Sequence, residues 1–518
     1  MQDLERLRRA VAEALAYLRE QPDVEEAEVF ASSNGQLLTR LHYTSHIPCN
    51  GVEEPKSTES YGIGVTAVFR GEGGPRVGFG SEAGDLTLEG VKSALAKARA
   101  GAVHDPEFES LPRPTGEQRT LYDYHDPALM EVADADLTAA GWTTVNGALR
   151  TFLRSEALAI AAGGQERLPG MGLIVGGDVT ILQERVAIAS SAMPEVQTDE
   201  TTAIMGFVTA MVEEADAKGS GWASSTRLAG FDDEAGREAA AGALAAMGGV
   251  RVPSGEYRVV LGRQAVTDLM NNIVLPSLNL GTFYAAGSAF QGKLGQQVAA
   301  DLVTIYDDGA RPGYVGSKGI TDEGLPTGRT RLIERGRLVG LLANWYESRR
   351  ILKDPQARAK LGADPREWAG AFVPRSGFRF ARSGGRHFDA QPGIAATNVF
   401  IEGPDPKSRE ELLHLVGNGL YIGRIWYTYP VNGLRTGDFS CTVVGDSFVI
   451  RDGRLAEPIK PNTLRISDSI HRVLHGCLGI GREAKPTMVW AADEITYAPE
   501  LAVSALRVQE IAGFLEGG

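Results

Sequence analysis

From Val250 onward the chain is cut into short apolar runs separated by Gly, Asn, Asp and Pro. YRVVLG, DLVTIYDDG, LYIGRIWYTY, CTVVGDSFVIRDGRL and NTLRIS are examples. Runs of four to eight residues, rich in Val, Ile, Tyr and Thr, are too short for helices and fit strands. Arg335-Gly336 and Asp452-Gly453 sit between such runs, where two adjacent residues of positive φ close a tight hairpin. This half therefore predicts a β-rich, barrel-like assembly, and the alanine-rich stretch Glu234–Met247, stopped by Gly248-Gly249, predicts a helix before it. The expected division is 1–249 and 250–518.

The first half alternates the two periodicities. Leu4, Leu7, Val11, Leu15 and Leu18 recur at helical spacing between charges, an amphipathic helix without the apolar core of a signal peptide. Glu26–Ser32 and Gln36–His42 read as strands across a turn at Asn34-Gly35. Tyr61–Arg70 and Arg76–Gly80 continue the strand pattern. Thr87 stands as a cap for a helix with Leu88, Val91, Leu95 and Ala98 on one face. Residues 106–117 read as a linker, and 136–162 as helical. Met171–Val175, Val179–Ala189 and Thr201–Val212 read as a meander, with Gly176-Gly177 and the glycines at 219–221 as turns. The fold class expected is α+β: a mixed N-terminal part with an antiparallel sheet, then the β-rich part.

Lys+Arg 52 against Asp+Glu 66 gives a net charge of −14, which opposes nonspecific nucleic-acid binding. No apolar run reaches the length of a membrane span. Three cysteines in 518 residues are too few for a disulfide framework, so a reduced, cytoplasmic protein is expected.

Two clusters carry metal-ligating side chains. His42, His46 and Cys49 lie in strand-and-loop sequence, where residues four apart are too distant for ready chelation. His471, His475 and Cys477 follow a strand and start a short helix, where the two imidazoles share a face. Neither spacing matches a zinc signature. No nucleophile elbow or phosphate loop is present, and Cys441 reads as a buried structural thiol. Asp307-Asp308 and Asp322-Glu323 read as turn residues and not as a divalent-cation site.

Four blocks in order carry a resemblance. They are PSGEYRVVLG (Pro253–Gly262), the stretch Ser288–Gly309, the stretch Thr321–Arg350, and VNGLRTGDFSCTVVGDSFVIRDGRLAEPIKPNTLRIS (Val431–Ser467). With weaker likeness at Gly62–Phe69 and Met171–Val212, the chain resembles the TldD/PmbA (modulator of DNA gyrase) metallopeptidase family. The resemblance implies a cytoplasmic peptidase assembly in which a catalytic TldD subunit pairs with a TldE (PmbA) subunit around a cavity. The family's catalytic subunit carries a His-Glu-x-x-x-His helix, two imidazoles holding zinc and a carboxylate activating water. In register, this chain has Asn271, Asn272, Ile273, Val274, Leu275 and Pro276 there. The loop Gly479–Pro486, where the family's third ligand is a cysteine, has none, and Cys477 falls before it. Together with the divergence at Phe283–Phe290, this resembles the TldE branch.

The expectation is a non-catalytic subunit that positions unfolded or precursor peptides, with zinc held by a TldD-like partner. The alternatives are a homo-oligomeric peptide-binding protein, or an autonomous peptidase using His471, His475 and Cys477.

Overall fold

The computed structural model describes residues 1–47, 50–71, 74–114, 121–380, 385–487 and 495–511. The chain opens with helix α1 (Leu4–Arg19), capped by the Asp3 carboxylate accepting from the Arg6 amide. Strands β1 (Val24–Thr44), β2 (Lys56–Phe69), β3 (Arg76–Ala83) and β4 (Val103–His104) follow, with helix α2 (Leu88–Gly101) before the last. Strands β5 (Leu173–Ser190), β6 (Gln197–Val212) and β7 (Ala217–Ser225) complete a seven-stranded antiparallel sheet in the order β4-β3-β2-β1-β5-β6-β7.

Period-two alternation decides what each face of this sheet meets. Ala27, Val29 and Ala31 of β1 and Ala187 and Ala189 of β5 are buried with α1 and α2. Val175, Val179 and Ile181 of β5 are buried with the helices Asp134–Leu153 and Glu234–Ala245. The other face carries Glu28, Phe30, Ser32 and Asn34 of β1 and Glu184, Val186 and Ile188 of β5, also buried. Burial on both faces comes from the C-terminal half lying against the second one.

Several expected turns are strand interiors. Asn34 and Gly35 do not reverse the chain. They pair with Ser60 and Glu59 on one side and Glu184 and Gln183 on the other, so β1 runs on through them. A central strand has its backbone groups satisfied on both edges, and this outweighs the local turn preference of Asn-Gly. Gly176-Gly177 likewise lies within β5, and Gly219 and Gly221 within β7. At Gly221 the reason for glycine is contact: a Cβ there would stand 1.9 Å from the Ala235 carbonyl oxygen of the helix Glu234–Ala245. Gly221→Ala is expected to destabilise the protein by about 1–3 kcal/mol through forced displacement of that helix. A drop in melting temperature checks it, and an unchanged value would contradict the contact. Thr87 precedes α2 as expected, but its side chain caps nothing; its amide donates to Asp85.

In the C-terminal half, five strands close a ring. Gly419–Pro430 pairs with β8 (Gly255–Leu261), β8 with Leu501–Glu510, that strand with Leu464–Ser469, and this with Asp438–Arg451. Asp438–Arg451 then returns to Gly419–Pro430. The ring is the expected barrel, filled by Val259, Leu261, Ile422, Phe439, Val443, Ile466 and Val503. A six-stranded sheet stands beside it, centred on Thr304–Asp308 and Asn398–Glu402. Both expected hairpin turns are present, with φ of 48° and 75° at Arg335 and Gly336 and of 49° and 74° at Asp452 and Gly453.

Candidate functional site

The chain leaves β8 at Leu261 and turns directly into a helix, Arg263–Leu269, which buries Ala265, Val266 and Leu269 in the barrel half. Met270–Val274 continues it as a π-helical turn, in which the Leu275 amide donates to the Met270 carbonyl five residues back. Leu275–Ser277 is α-helical again. Pro276 has no amide hydrogen and its ring crowds the carbonyl four residues earlier, so a regular helix cannot pass through it. A wide turn just before the proline accommodates both defects.

The first two positions of this segment are engaged by protein. Asn271 accepts through Oδ1 from the Thr496 hydroxyl at 2.8 Å, and its Nδ2 is a buried donor with no partner. Asn272 donates through Nδ2 to the Asp268 carbonyl at 2.9 Å and to its Oδ1 at 3.3 Å. Asp268 also accepts from the Thr428 hydroxyl, and burial pushes its carboxyl up to about 6. An amide side chain, a second amide facing back along its own helix, and a proline make no tetrahedral nitrogen–sulfur set. The residues at 271, 272 and 276 do not fit the zinc that the family resemblance implies.

The other candidates are dispersed. His471 is half-buried with its ring edge-on to Phe290 at 5.7 Å, and burial, then the neighbouring His475, lowers its pKa. His475 is exposed. Cys477 is buried in a strand pairing with Leu501–Glu510, and burial pushes its thiol up to about 12, away from the thiolate a metal takes. His42 faces Glu53 at 3.3 Å and His46 faces Glu213 at 3.4 Å, while Cys49 lies outside the described residues. Among the described residues no three His, Cys, Asp or Glu side chains form a metal-holding group. Cys441 is buried in the barrel, as its strand context predicted.

The acidic pairs have structural partners. Asp307 lies within the strand Thr304–Asp308 instead of forming a turn, and accepts from the Thr397 amide and hydroxyl, each at 2.8 Å. Asp322 and Glu323 do occupy a turn, but a buried one, beside two arginines whose role the sequence did not disclose. Arg379 pairs with Glu28 of β1, and Arg386 pairs with Asp199 of β6 at 2.6 Å and Asp322 at 2.7 Å. Lys318 meets Glu184 of β5 at 2.6 Å. Burial alone would raise Glu184, yet the charges of Lys318 and Arg386 hold it at about 2. This network joins the second face of the N-terminal sheet to the C-terminal half.

Sequence reasoning also missed the surroundings of the helix. Gln264 brackets Ile425 of the strand Gly419–Pro430, and Arg424 of that strand reaches the Ser220 hydroxyl of β7. The signal was available as the run RIWYTY, whose successive aromatics are unusual on a solvated strand.

Among the described residues no helix is long and apolar enough to cross a membrane. A sequence model of the PmbA/TldA metallopeptidase C-terminal domain matches residues 254–510, and one of PmbA/TldA metallopeptidase domain 1 matches residues 50–102. A metalloprotease of Methanothermobacter thermautotrophicus is 25% identical over 231 residues, covering 45% of this chain and 44% of that protein. A metalloprotease of Synechocystis sp. is 32% identical over 172 residues, covering 33% of this chain and 30% of that protein. The matched segments thus span less than half the length of these relatives. The crystal structure of TldE from Thermococcus kodakarensis shares the fold, with a TM-score of 0.76 at 16% identity, over 96% of this chain and 100% of that one. The family's C-terminal domain accounts for the barrel and its companion sheet, and its first domain for β2 to α2, so the chain belongs to the PmbA/TldD family of metallopeptidases.

Proposed function

We propose that this chain is a TldE-like, non-catalytic subunit of a metallopeptidase assembly, positioning unfolded or precursor peptides for a TldD-like partner that holds the zinc. The observation that carries this reading is the segment Asn271–Pro276. Its polar side chains are bonded to Thr496 and Asp268, and its last position is a proline set behind a π-helical turn. Restoring a ligand set would require changing three residues and re-forming the helix. The fold shared with a TldE structure supports the same reading. A reduced, cytoplasmic setting suits it, because the two described cysteines are free and buried.

The test uses the full chain, alone and mixed with a His-Glu-x-x-x-His paralogue, against an unfolded polypeptide. Peptidase activity of the mixture is expected to exceed that of the paralogue alone by about 10-fold or more, through substrate positioning. Activity should vanish on chelation, and the isolated chain should stay at background. Equal cleavage by the isolated chain and the mixture would reject the proposal, as would a mixture no faster than the paralogue.

A further inference from the structure

Residues 105–114, which include the described part of the expected linker, do not form a free tether. β4 pairs with β3 up to His104, and the chain then turns at Asp105 and meets the helix Trp345–Lys353 of the C-terminal half. The turn is closed locally. The Phe108 amide donates to the Asp105 carbonyl at 3.2 Å, and the Glu107 amide to the Asp105 side chain at 2.9 Å. An Asx-turn of this kind holds its shape without help from a neighbouring strand. Its acidic side chains reach across to donors. Asp105 accepts from the Tyr346 hydroxyl at 2.9 Å, Glu107 accepts from the Tyr284 hydroxyl, and Glu109 lies 3.1 Å from the Lys353 ammonium. The Arg350 guanidinium lies 3.4 Å from Glu107.

The receiving side chains are held by other partners as well. The Arg350 guanidinium lies 3.7 Å from the Tyr284 ring and 5.0 Å from the Tyr346 ring, and pairs with Glu347 at 2.6 Å. Lys360 sits over the Tyr284 ring at 4.1 Å. The bond to Glu107 pushes the Tyr284 hydroxyl up to about 12, and burial does the same for Tyr346, so both stay protonated donors. Residues 105–109 themselves are held only at the periphery. The side chains of Glu107, Glu109 and Lys353 are 40%, 43% and 51% exposed, and none of residues 105–109 is buried. Burial begins at Ser110, Leu111 and Pro112. There the Ser110 carbonyl accepts from the Trp345 indole at 3.0 Å, and the Leu111 amide donates to Glu26 at 2.9 Å. Exposed charge contacts are weak and fade with salt, whereas buried apolar contacts do not.

We propose that residues 105–109 are a charge-held latch between the first domain and the helices following Asn271–Pro276, and that it opens on its own when its ion pairs are screened. The match to domain 1 ends at residue 102, just before the latch, and the helix Leu280–Tyr284 starts just after Pro276. Closed, the latch ties Tyr284 and Arg350 to the N-terminal half. Open, it leaves both on the C-terminal half with their stacking and the Glu347 pair intact. Opening is therefore local and reversible, because no core residue leaves its place and Ser110–Pro112 stay seated. The latch operates whether or not a partner subunit holds the zinc.

The test is digestion of the full folded chain with a Glu-specific protease, comparing cuts after Glu107 and Glu109 with the cut after the exposed Glu131. When reclosing outpaces cleavage, the rate at a site tracks the population of its open form. Raising salt from about 50 mM to about 500 mM is expected to speed the latch cuts in the native chain about 5-fold or more relative to Glu131. Tyr284→Phe/Lys353→Gln keeps the ring and the aliphatic stem but removes two donors. Its latch cuts should run about 10-fold faster than those of the native chain at low salt, and respond less to added salt. Equal rates in the native chain and the variant, or a native rate that salt does not raise, would overturn the proposal. So would equal acceleration at Glu131, because the chain would then be opening as a whole. The salt series on the native chain decides alone if the variant fails to fold.

Discussion

Arg386→Ala is expected to cost about 3–5 kcal/mol, the scale for removing one partner of a buried ion pair. The Arg386 side chain is fully buried, with Nη1 2.6 Å from Asp199, Nε 2.7 Å from Asp322, and Nη2 donating to the Ile320 carbonyl at 3.1 Å. Its backbone amide donates to Glu184 at 2.9 Å. Truncation leaves two carboxylates inside the protein with their countercharge gone, which is costlier than the pair's own net contribution. Because the three carboxylates come from β5, β6 and the turn at Asp322, the loss should loosen the junction between the N-terminal sheet and the C-terminal half. Arg451→Ala removes an exposed pair with Glu457 and serves as the control, with no expected change in melting temperature. Melting and denaturant midpoints of both variants provide the measurement. An Arg386→Ala protein as stable as Arg451→Ala would show that Arg386 does not join the halves.

Glu323→Gln is expected to change the pH dependence of stability. Glu323 is buried, both carboxylate oxygens accept from the Trp345 amide at 3.1 and 3.0 Å, and burial pushes its pKa up to about 8. The nearby Glu28 and Asp322 charges add to the rise. An unfolded glutamate titrates near 4.3, so between about pH 5 and pH 8 the folded state holds a proton that the unfolded state has released. Stability therefore falls as pH rises through that window and flattens above it. Each unit of elevation corresponds to about 1.4 kcal/mol, so the full effect is on the order of 3–5 kcal/mol. Glutamine keeps an acceptor for the Trp345 amide and does not ionise. The melting temperature of Glu323→Gln relative to the native chain should rise from about pH 5 to pH 8 and level off above it. Asp307, pushed up to about 7 by burial, drives the same trend but is present in both proteins and drops out of the difference. A flat difference across that range would place the Glu323 titration outside it.

Much of the fold was legible locally. The helices α1, α2 and Glu234–Ala245 and the two hairpins at Arg335-Gly336 and Asp452-Gly453 follow from spacing and turn chemistry, which act within a few residues. The barrel was legible as a texture of short runs. Asn34-Gly35 and Gly176-Gly177 were misread because a turn dipeptide states only a local preference. In β1 and β5 that preference is overridden by backbone pairing to strands far away in sequence. The buried arginines were invisible for a related reason. Arg379 and Arg386 look like ordinary loop residues until a sheet roughly 200 to 350 positions earlier supplies their carboxylates.

For the candidate site, the sequence by itself determined what is chemically available. Asn271, Asn272 and Pro276 occupy the positions where the family resemblance puts two imidazoles and a carboxylate, and side-chain identity does not depend on folding. Tertiary structure alone decided what those residues do instead. It placed Thr496 against Asn271, set a π-helical turn ahead of Pro276, and ended β8 at Leu261, so that Gln264 of the following helix meets Ile425. Composition and spacing record which groups a chain carries. The pairing of a hydrogen bond depends on segments more than a hundred residues apart meeting in one geometry, and only the folded chain fixes that.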